Sequence, residues 1–381
     1  MRNLIITAAA VVALFPAITA TAQGETTRPD ETVLPVVEHE IEETDLIPPT
    51  SFKAYPFVFY TPETQLAFGG GASVAWRYPD LGPEQRPNSV LGAVTYTTRS
   101  QLIIALTPEI YTKNGTWLIA GFLGYKEYPD KFWGIGPDAP AEDEEDFEPF
   151  IFQFKVDGQR TLGGHFLGGP TYHLIDYRPH ELDPDGQLVT GTVAGSEGSR
   201  SSGLGIMGSY DSREQRFSPL SGNLVELQWR FYDSILGSDY TFQELVLDLR
   251  HYQPLKTDWV LALQAYSHTL SGNPPFNMLA MLGGTERLRG YWTGRYRDRK
   301  AFVFQAELRL PVTRRFGAAA FAGAGMVGST YSELRIADFK PSLGGGVRYL
   351  FDPETNLKLR LDLGFGEAGQ KGVYVTIMEA F

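Results

Sequence analysis

Residues 301–310 read AFVFQAELRL. Phe302, Phe304, Ala306, Leu308 and Leu310 fall on one face of an extended chain, and Gln305, Glu307 and Arg309 fall on the other. A period of two with one oily face is the mark of a strand covered on one side only. The same alternation recurs at 357–365, where Leu357, Leu359, Leu361, Leu363 and Phe365 oppose Lys358, Arg360 and Asp362. It recurs again at 244–250, where Leu245, Leu247 and Leu249 oppose Glu244, Asp248 and Arg250. In a soluble sandwich such an oily face must meet a second sheet. Here 13% of residues are aromatic, with 19 Tyr and 41 Gly, and no apolar run long enough for a membrane helix follows the N-terminus. Tyr- and Gly-rich chains of short alternating segments and low total hydropathy are the signature of a transmembrane β-barrel, whose other face meets water or its own loops.

Segments between turn signals predict strands near 53–60, 65–77, 89–98, 101–112, 116–126, 149–158, 163–177, 201–211, 222–233, 240–252, 258–269, 300–310, 315–328, 340–350, 356–366 and 372–381. The expected fold is therefore all-β, a transmembrane antiparallel barrel of roughly sixteen strands, with counts of roughly twelve or fourteen obeying the same logic. Connections such as 113–115, 159–162, 253–257 and 311–314 are short, whereas 127–148, 178–200, 270–299 and 329–339 are long. Short periplasmic turns, long extracellular loops and two periplasmic termini are the expectation for an outer-membrane barrel with an even strand number. The run AEDEEDFE at 141–148 is expected to be a solvated loop tip.

The N-terminus, MRNLIITAAAVVALFPAITATAQG, has a basic start, a short apolar region and small residues before Gln23, which predicts a signal peptide over 1–22. Residues 23–52 are acidic and Pro-punctuated, a flexible periplasmic lead-in, and 53–381 are expected to form the barrel. The absence of cysteine excludes disulfides and thiolate metal sites, and six scattered histidines suggest no metal and no cofactor.

Against a net charge of −12, the stretch TERLRGYWTGRYRDRK at 285–300 gathers Arg287, Arg289, Arg295, Arg297, Arg299 and Lys300. Nucleic acid is an unsuitable partner for an acidic, exported chain. Two readings stay open: contact with outer-membrane lipid and lipopolysaccharide, or a loop folded into the lumen, where an arginine fork holds carboxylates such as Glu307, Glu244 or Asp248.

The longer stretch LGGTERLRGYWTGRYRD (282–298) resembles the conserved loop of the BamA/TamA-like superfamily of outer-membrane assembly and secretion barrels, the bacterial surface antigen family. Its core motif, apolar-Arg-Gly-aromatic, stands here as Leu288, Arg289, Gly290 and Tyr291. YDSREQRFSPLSG (210–222) is similar to the family's periplasmic turn, with Asp211, Arg213, Pro219 and Gly222 at the motif positions, and FQAELRLPV (304–312) to the strand after the loop. The resemblance implies that the loop enters the lumen with Arg289 paired to Glu307, and Arg295, Tyr296, Arg297 and Asp298 beside it. It also implies that a last strand ending on Phe381, with Val373, Val375 and Ile377 at the same parity, is an insertion signal. One departure is Gly323, which stands where the family's next strand carries an inward Asp; Asp298 or a lumenal carboxylate is left to compensate. A second is that residues 23–52 are too short for a periplasmic POTRA domain, so a POTRA-less member is expected.

Three functions follow. The first is assistance of protein or lipid insertion or translocation at the outer membrane, with unfolded client proteins, a separate periplasmic partner or a second copy of the chain as partners. The alternative is a passive, loop-plugged pore lined by Gln153, Lys155, His165, His173, Arg348, Arg360 and Asp362. The third is an outer-membrane enzyme, for which His268 with Ser271 and Asn273, or His180, are the rim candidates; they match no defensible catalytic pattern, so the chain is not expected to be an enzyme.

Overall fold

The computed structural model describes residues 50–78, 87–215, 218–256, 259–352 and 357–381. The leader expected over 1–22 and the acidic segment up to residue 49 lie outside these residues. The strands are β1 (Thr50–Thr61), β2 (Gln65–Trp76), β3 (Asn88–Thr97), β4 (Leu102–Tyr111), β5 (Trp117–Glu127), β6 (Asp130–Phe132), β7 (Glu145–Gly163), β8 (Phe166–His180), β9 (Ser199–Asp211) and β10 (Gly222–Tyr232). They continue with β11 (Phe242–Lys256), β12 (Trp259–Gly272), β13 (Ala280–Leu282), β14 (Tyr296–Asp298), β15 (Lys300–Pro311), β16 (Phe316–Gly328), β17 (Lys340–Asp352), β18 (Leu357–Gly366) and β19 (Lys371–Ile377). Among the described residues there is no α-helix. The chain is an all-β, closed barrel of 16 antiparallel strands, each bonded to its neighbour in the chain, with β19 returning to β1. The short β6 extends the sheet beside β7, and β13 and β14 form a separate hairpin within the connection from β12 to β15.

The alternation that builds the strands also orients them. On β15, Phe304 is 50% exposed while Glu307, three residues on, is 0% exposed. Leu263, Leu361, Leu363 and Ile206 likewise face outward, and Gln264, Arg360 and Asp362 are buried inside. Such an inverted arrangement is stable where the surrounding solvent is hydrocarbon, and closure leaves few unpaired backbone groups facing it.

Several strand ends differ from the sequence expectation: β7 begins at Glu145 rather than 149, β11 runs on to Lys256 rather than ending at 252, and two further differences have a visible cause. The β7–β8 turn falls at Gly163 and Gly164, both with positive φ, rather than at 159–162. A glycine pair adopts this tight turn without the Cβ penalty other residues carry. The last strand stops at Ile377 rather than running to Phe381. Met378 takes φ +65, its N–H donates to the Lys358 carbonyl (2.8 Å), and the chain turns into the lumen. Phe381 is consequently buried against Tyr252, Val260 and Ala262, with Leu220 beside it, instead of facing lipid at the parity of Val373 and Val375.

The ladders are long everywhere except at closure. β1 pairs with β2 along all 12 of its residues, and β19 with β18 along all 7 of its own. Between β1 and β19 one register pair is formed, Tyr60↔Val375. Tyr60 is the last residue but one of β1 and Val375 lies two residues before the end of β19, so in this antiparallel register only the end of β1, residues 58–61, runs beside β19.

Placing arginine on the outward face tests the orientation. Phe304→Arg is expected to lower the unfolding free energy of the barrel in lipid bilayers by about 2–4 kcal/mol, the cost of a guanidinium near the bilayer midplane. It is read from the denaturant midpoint of refolded protein in liposomes. A wild-type midpoint would remove that face from the lipid.

Candidate functional site

The connection between β12 and β15 descends into the barrel because its apolar residues have no other place to be buried. Leu282, Leu288, Tyr291 and Tyr296 pack with Tyr266, Ala301, Val303 and Val327 of the wall in one buried cluster. Gly283 and Gly284 turn the chain with φ near +100°, and Leu288 is held at φ +54, a conformation unfavourable for a bulky residue that its complete burial offsets. At Gly290 (φ +114) a Cβ would lie 2.7 Å from the Phe365 carbonyl carbon and 2.9 Å from the Gly366 nitrogen. β18 reciprocates: a Cβ on Gly364 would sit 2.7 Å from the Arg289 carbonyl carbon, and one on Gly366 would strike the Tyr291 ring. Loop and strand thus meet backbone to backbone, a contact only glycine permits.

This approach delivers Arg289, 1% exposed, to two carboxylates. Its Nη2 lies 2.6 Å from Glu307 Oε2 on β15, and its Nη1 pairs with Asp362 Oδ2 on β18. The guanidinium also stacks 3.5 Å from the centre of the Phe321 ring. Both carboxylates are shared: Arg309 Nε bonds Glu307 Oε1 (2.8 Å), and Arg348 reaches Glu307 (3.3 Å) and Asp362. Arg348 Nε then pairs with Glu379 (2.7 Å) in the turned-in tail, and Arg309 Nη2 donates to the Phe381 oxygen (2.7 Å). Four buried arginines (289, 309, 348 and 360) face three buried carboxylates, with Arg360 held by Thr376 Oγ1 (2.9 Å) and the Thr285 carbonyl (3.2 Å). A buried charge is tolerated only when paired and hydrogen-bonded, and the bidentate fork of arginine suits shared carboxylates.

Sequence reasoning paired Arg289 with Glu307 but missed Asp362 as its second partner. The parity of β18 already points Asp362 inward, beside Arg360; the unreadable part was its height in the barrel. Nor does Gly323 leave a gap. It faces Gln305, whose amide donates to the Glu286 carbonyl (2.7 Å) and accepts from Leu288 N–H (3.3 Å). Asp298 takes no part in the clamp: its Oδ1 accepts from the adjacent Arg299 N–H (2.7 Å). The glycines of SLGGGVR serve the clamp as room, since a Cβ at Gly346 would strike Asp362 and one at Gly344 the Phe321 ring.

The other loop residues join the plug to the far rim. Arg295 Nη2 donates to the Ala139 carbonyl (3.0 Å), Arg297 Nη2 to the Lys131 carbonyl (3.1 Å), and Tyr296 Oη to Glu367 (3.2 Å). Trp292 packs edge-on to Trp133, and its indole N–H donates to Asp130 (3.0 Å). Thr293 N–H and Oγ1 both donate to Glu63 Oε1 at 2.9 Å, in the turn between β1 and β2; burial raises the Glu63 carboxyl pKa while these bonds pull it back. The acidic run 141–148 is less solvated than expected, because Glu145 is buried and accepts from Leu188 N–H (3.3 Å).

At the opposite end, Arg213 forks onto Asp211 (2.8 and 2.9 Å), and Gly222 takes φ +98 where a Cβ would meet the Ser212 carbonyl. The Pro219 carbonyl accepts from Arg309 (3.4 Å), and Ser218 Oγ from Lys358 (2.8 Å). The 210–222 turn therefore contacts the same arginine that holds Glu307. Of the polar lumen candidates, Lys155 donates to Gln228 (3.2 Å), and His173 bridges Gln153 and Tyr232. At the rim, His268 lies 3.0 Å from Glu244, and Ser271 is exposed. Among the described residues, Glu148, His180 and Glu181 bring ligand atoms within 4.8 Å of one another, the nearest approach to a cation site.

A closed 16-strand barrel with its own loop buried in the lumen, pinned by a buried arginine on shared carboxylates, defines a loop-plugged outer-membrane barrel. The family model described as the Omp85 superfamily domain matches residues 173–369, just over half of the chain, and the protein belongs to that superfamily. Its place is accordingly the outer membrane. Among solved structures the fold is similar to BamA from Haemophilus ducreyi lacking POTRA domains 1–3, with TM-score 0.58 and 14% identity over 87% of this chain and 70% of that one. It is also similar to CdiB from Acinetobacter baumannii, with TM-score 0.56 and 10% identity over 87% of this chain and 60% of that one. No curated protein matches the sequence significantly.

Arg289→Ala takes from Glu307 and Asp362 the buried guanidinium that bridges them. The expected cost is about 3–5 kcal/mol, as for breaking a buried pair, seen as a lower temperature of conversion from the folded to the unfolded band on semi-native gels. Arg289→Lys keeps the charge but loses the fork and should fall between the two. Wild-type behaviour of Arg289→Ala would show that the clamp does not hold the barrel.

Proposed function

We propose that the protein assists insertion or translocation of protein, or lipid, at the outer membrane by parting its barrel between β1 and β19. The observation that supports this reading most directly is the single register pair at that seam, Tyr60↔Val375, against full ladders on the other side of each strand. Most of β1 then offers its backbone edge to an incoming strand, flanked by outward apolar residues such as Phe52, which is 68% exposed. Strand addition to an open edge supplies affinity through main-chain bonds regardless of client sequence. The end carrying residues 50 and 381 faces the periplasm in this reading, and the long connections face outward. Capture of clients falls to a periplasmic partner or to segments outside the described residues.

A passive pore is the weaker alternative. The loop core of Leu282, Leu288 and Tyr291 is buried in the lumen and pinned at Arg289, so a solute path requires breaking the clamp, whereas the seam route does not.

The chain lacks cysteine, so a Tyr60→Cys, Val375→Cys pair reports cleanly on the seam. In proteoliposomes, oxidation of the pair is expected to abolish the acceleration of folding of a urea-denatured β-barrel client, and reductant to restore it. Equal activity in the locked and reduced forms would exclude the seam as the route. An outer-membrane proteome unchanged by deletion of the gene would remove the insertion role itself.

A further inference from the structure

The plug touches both sides of the seam within four residues. On the β19 side, Gly290 N–H donates to Tyr374 Oη (2.9 Å), and that hydroxyl donates on to the Tyr291 carbonyl (3.4 Å). Tyr374 is fully buried and directly precedes Val375, the seam residue. On the β1 side, Thr293 N–H and Oγ1 converge on Glu63 Oε1, both at 2.9 Å. Glu63 is 4% exposed, three residues beyond Tyr60, and its own carbonyl accepts from Gln101 Nε2 (3.1 Å), which ties the turn to the next hairpin. Only Trp292 separates the two points of attachment on the loop. Behind them the loop cannot slide, since Gly290 is wedged against Gly364 and Gly366 and Arg289 is held by Glu307 and Asp362.

We infer that residues 290–293 are a strap across the seam, with Tyr374 and Glu63 as the positioning residues at its two ends, and that the barrel parts only after one end lets go. The strands contribute one register pair to their own closure, so the loop supplies much of what holds β19 to β1. The inference rests on the seam being the moving element of the proposed function, but not on what passes through it. A strap is a serial link, and this gives it a signature that two independent contacts lack: releasing either end opens it, and releasing both adds little.

The test reads the seam without a client. Spin labels on Phe52→Cys in β1 and Leu361→Cys in β18, both facing outward, report the distance across the seam by pulsed electron resonance in bilayers. Tyr374→Phe keeps the ring and removes the hydroxyl, and Glu63→Ala removes the acceptor. Each is expected to raise the long-distance population about tenfold, the effect of losing a buried hydrogen bond, with the double variant close to the larger single effect. A distance distribution unchanged in both folded single variants would overturn the strap, and so would effects that multiply in the double variant. Should Tyr374→Phe or Glu63→Ala fail to fold, Thr293→Val tests the same end more gently, since it removes only the hydroxyl that donates to Glu63. It should raise the long-distance population, and an unchanged distribution in the folded variant would equally overturn the strap. A seam that widens in the variants while client folding is unaffected would leave the strap standing and count against the insertion role.

Discussion

Charge buried in the lumen governs this molecule. Closing a one-sided sheet against lipid sends its polar face inward, where Glu307 and Asp362 are stripped of water. They are tolerable only with cations at contact: the wall's own Arg309, Arg348 and Arg360 supply some, and Arg289 arrives from the loop to bridge the two carboxylates. The loop is thus bound by electrostatics that the barrel itself creates. Its apolar cluster of Leu282, Leu288 and Tyr291 is the second contribution, and the glycine contacts at 290, 364 and 366 set the fit.

The same arginines carry the connection further. Arg309 touches Glu307, the Pro219 carbonyl and the Phe381 oxygen, and Arg348 touches Glu307, Asp362 and Glu379. The plug, the 210–222 turn and the chain's end are therefore parts of one network rather than separate features. Loop and tail meet at Glu307, which pairs with Arg289 of the loop and with Arg309 and Arg348, the two arginines that also hold the tail.

Much of this was legible in the sequence, for a physical reason that also sets its limit. Alternation reports which face a residue takes, so AFVFQAELRL placed β15, and Leu359, Leu361 and Leu363 placed β18, to within a residue or two. Parity alone cannot report height. Asp362 was readable as inward but not as level with Arg289, because the barrel's stagger across β15 to β18 decides which side chains meet. Parity also fails where the backbone leaves the sheet: Phe381 keeps the register of Val373 and Val375 on paper, yet positive φ at Met378 sends it to the opposite side. The turn at Gly163 and Gly164 was misplaced because a second glycine, Gly158, sits mid-strand in β7. No pattern in the sequence announced Tyr374 or Glu63, whose partners are backbone groups and one hydroxyl of a distant loop.

The short last strand has a consequence for the surrounding lipid. β19 runs for 7 residues, whereas a tilted strand needs about 9–11 to cross a bilayer core. Beside it β1 is offset, meeting it only along residues 58–61. The oily belt is therefore at its lowest along this flank, and acyl chains there must compress or tilt to match it. The protein carries a local defect in its own annulus of lipid, at the one place where its wall is least sewn together.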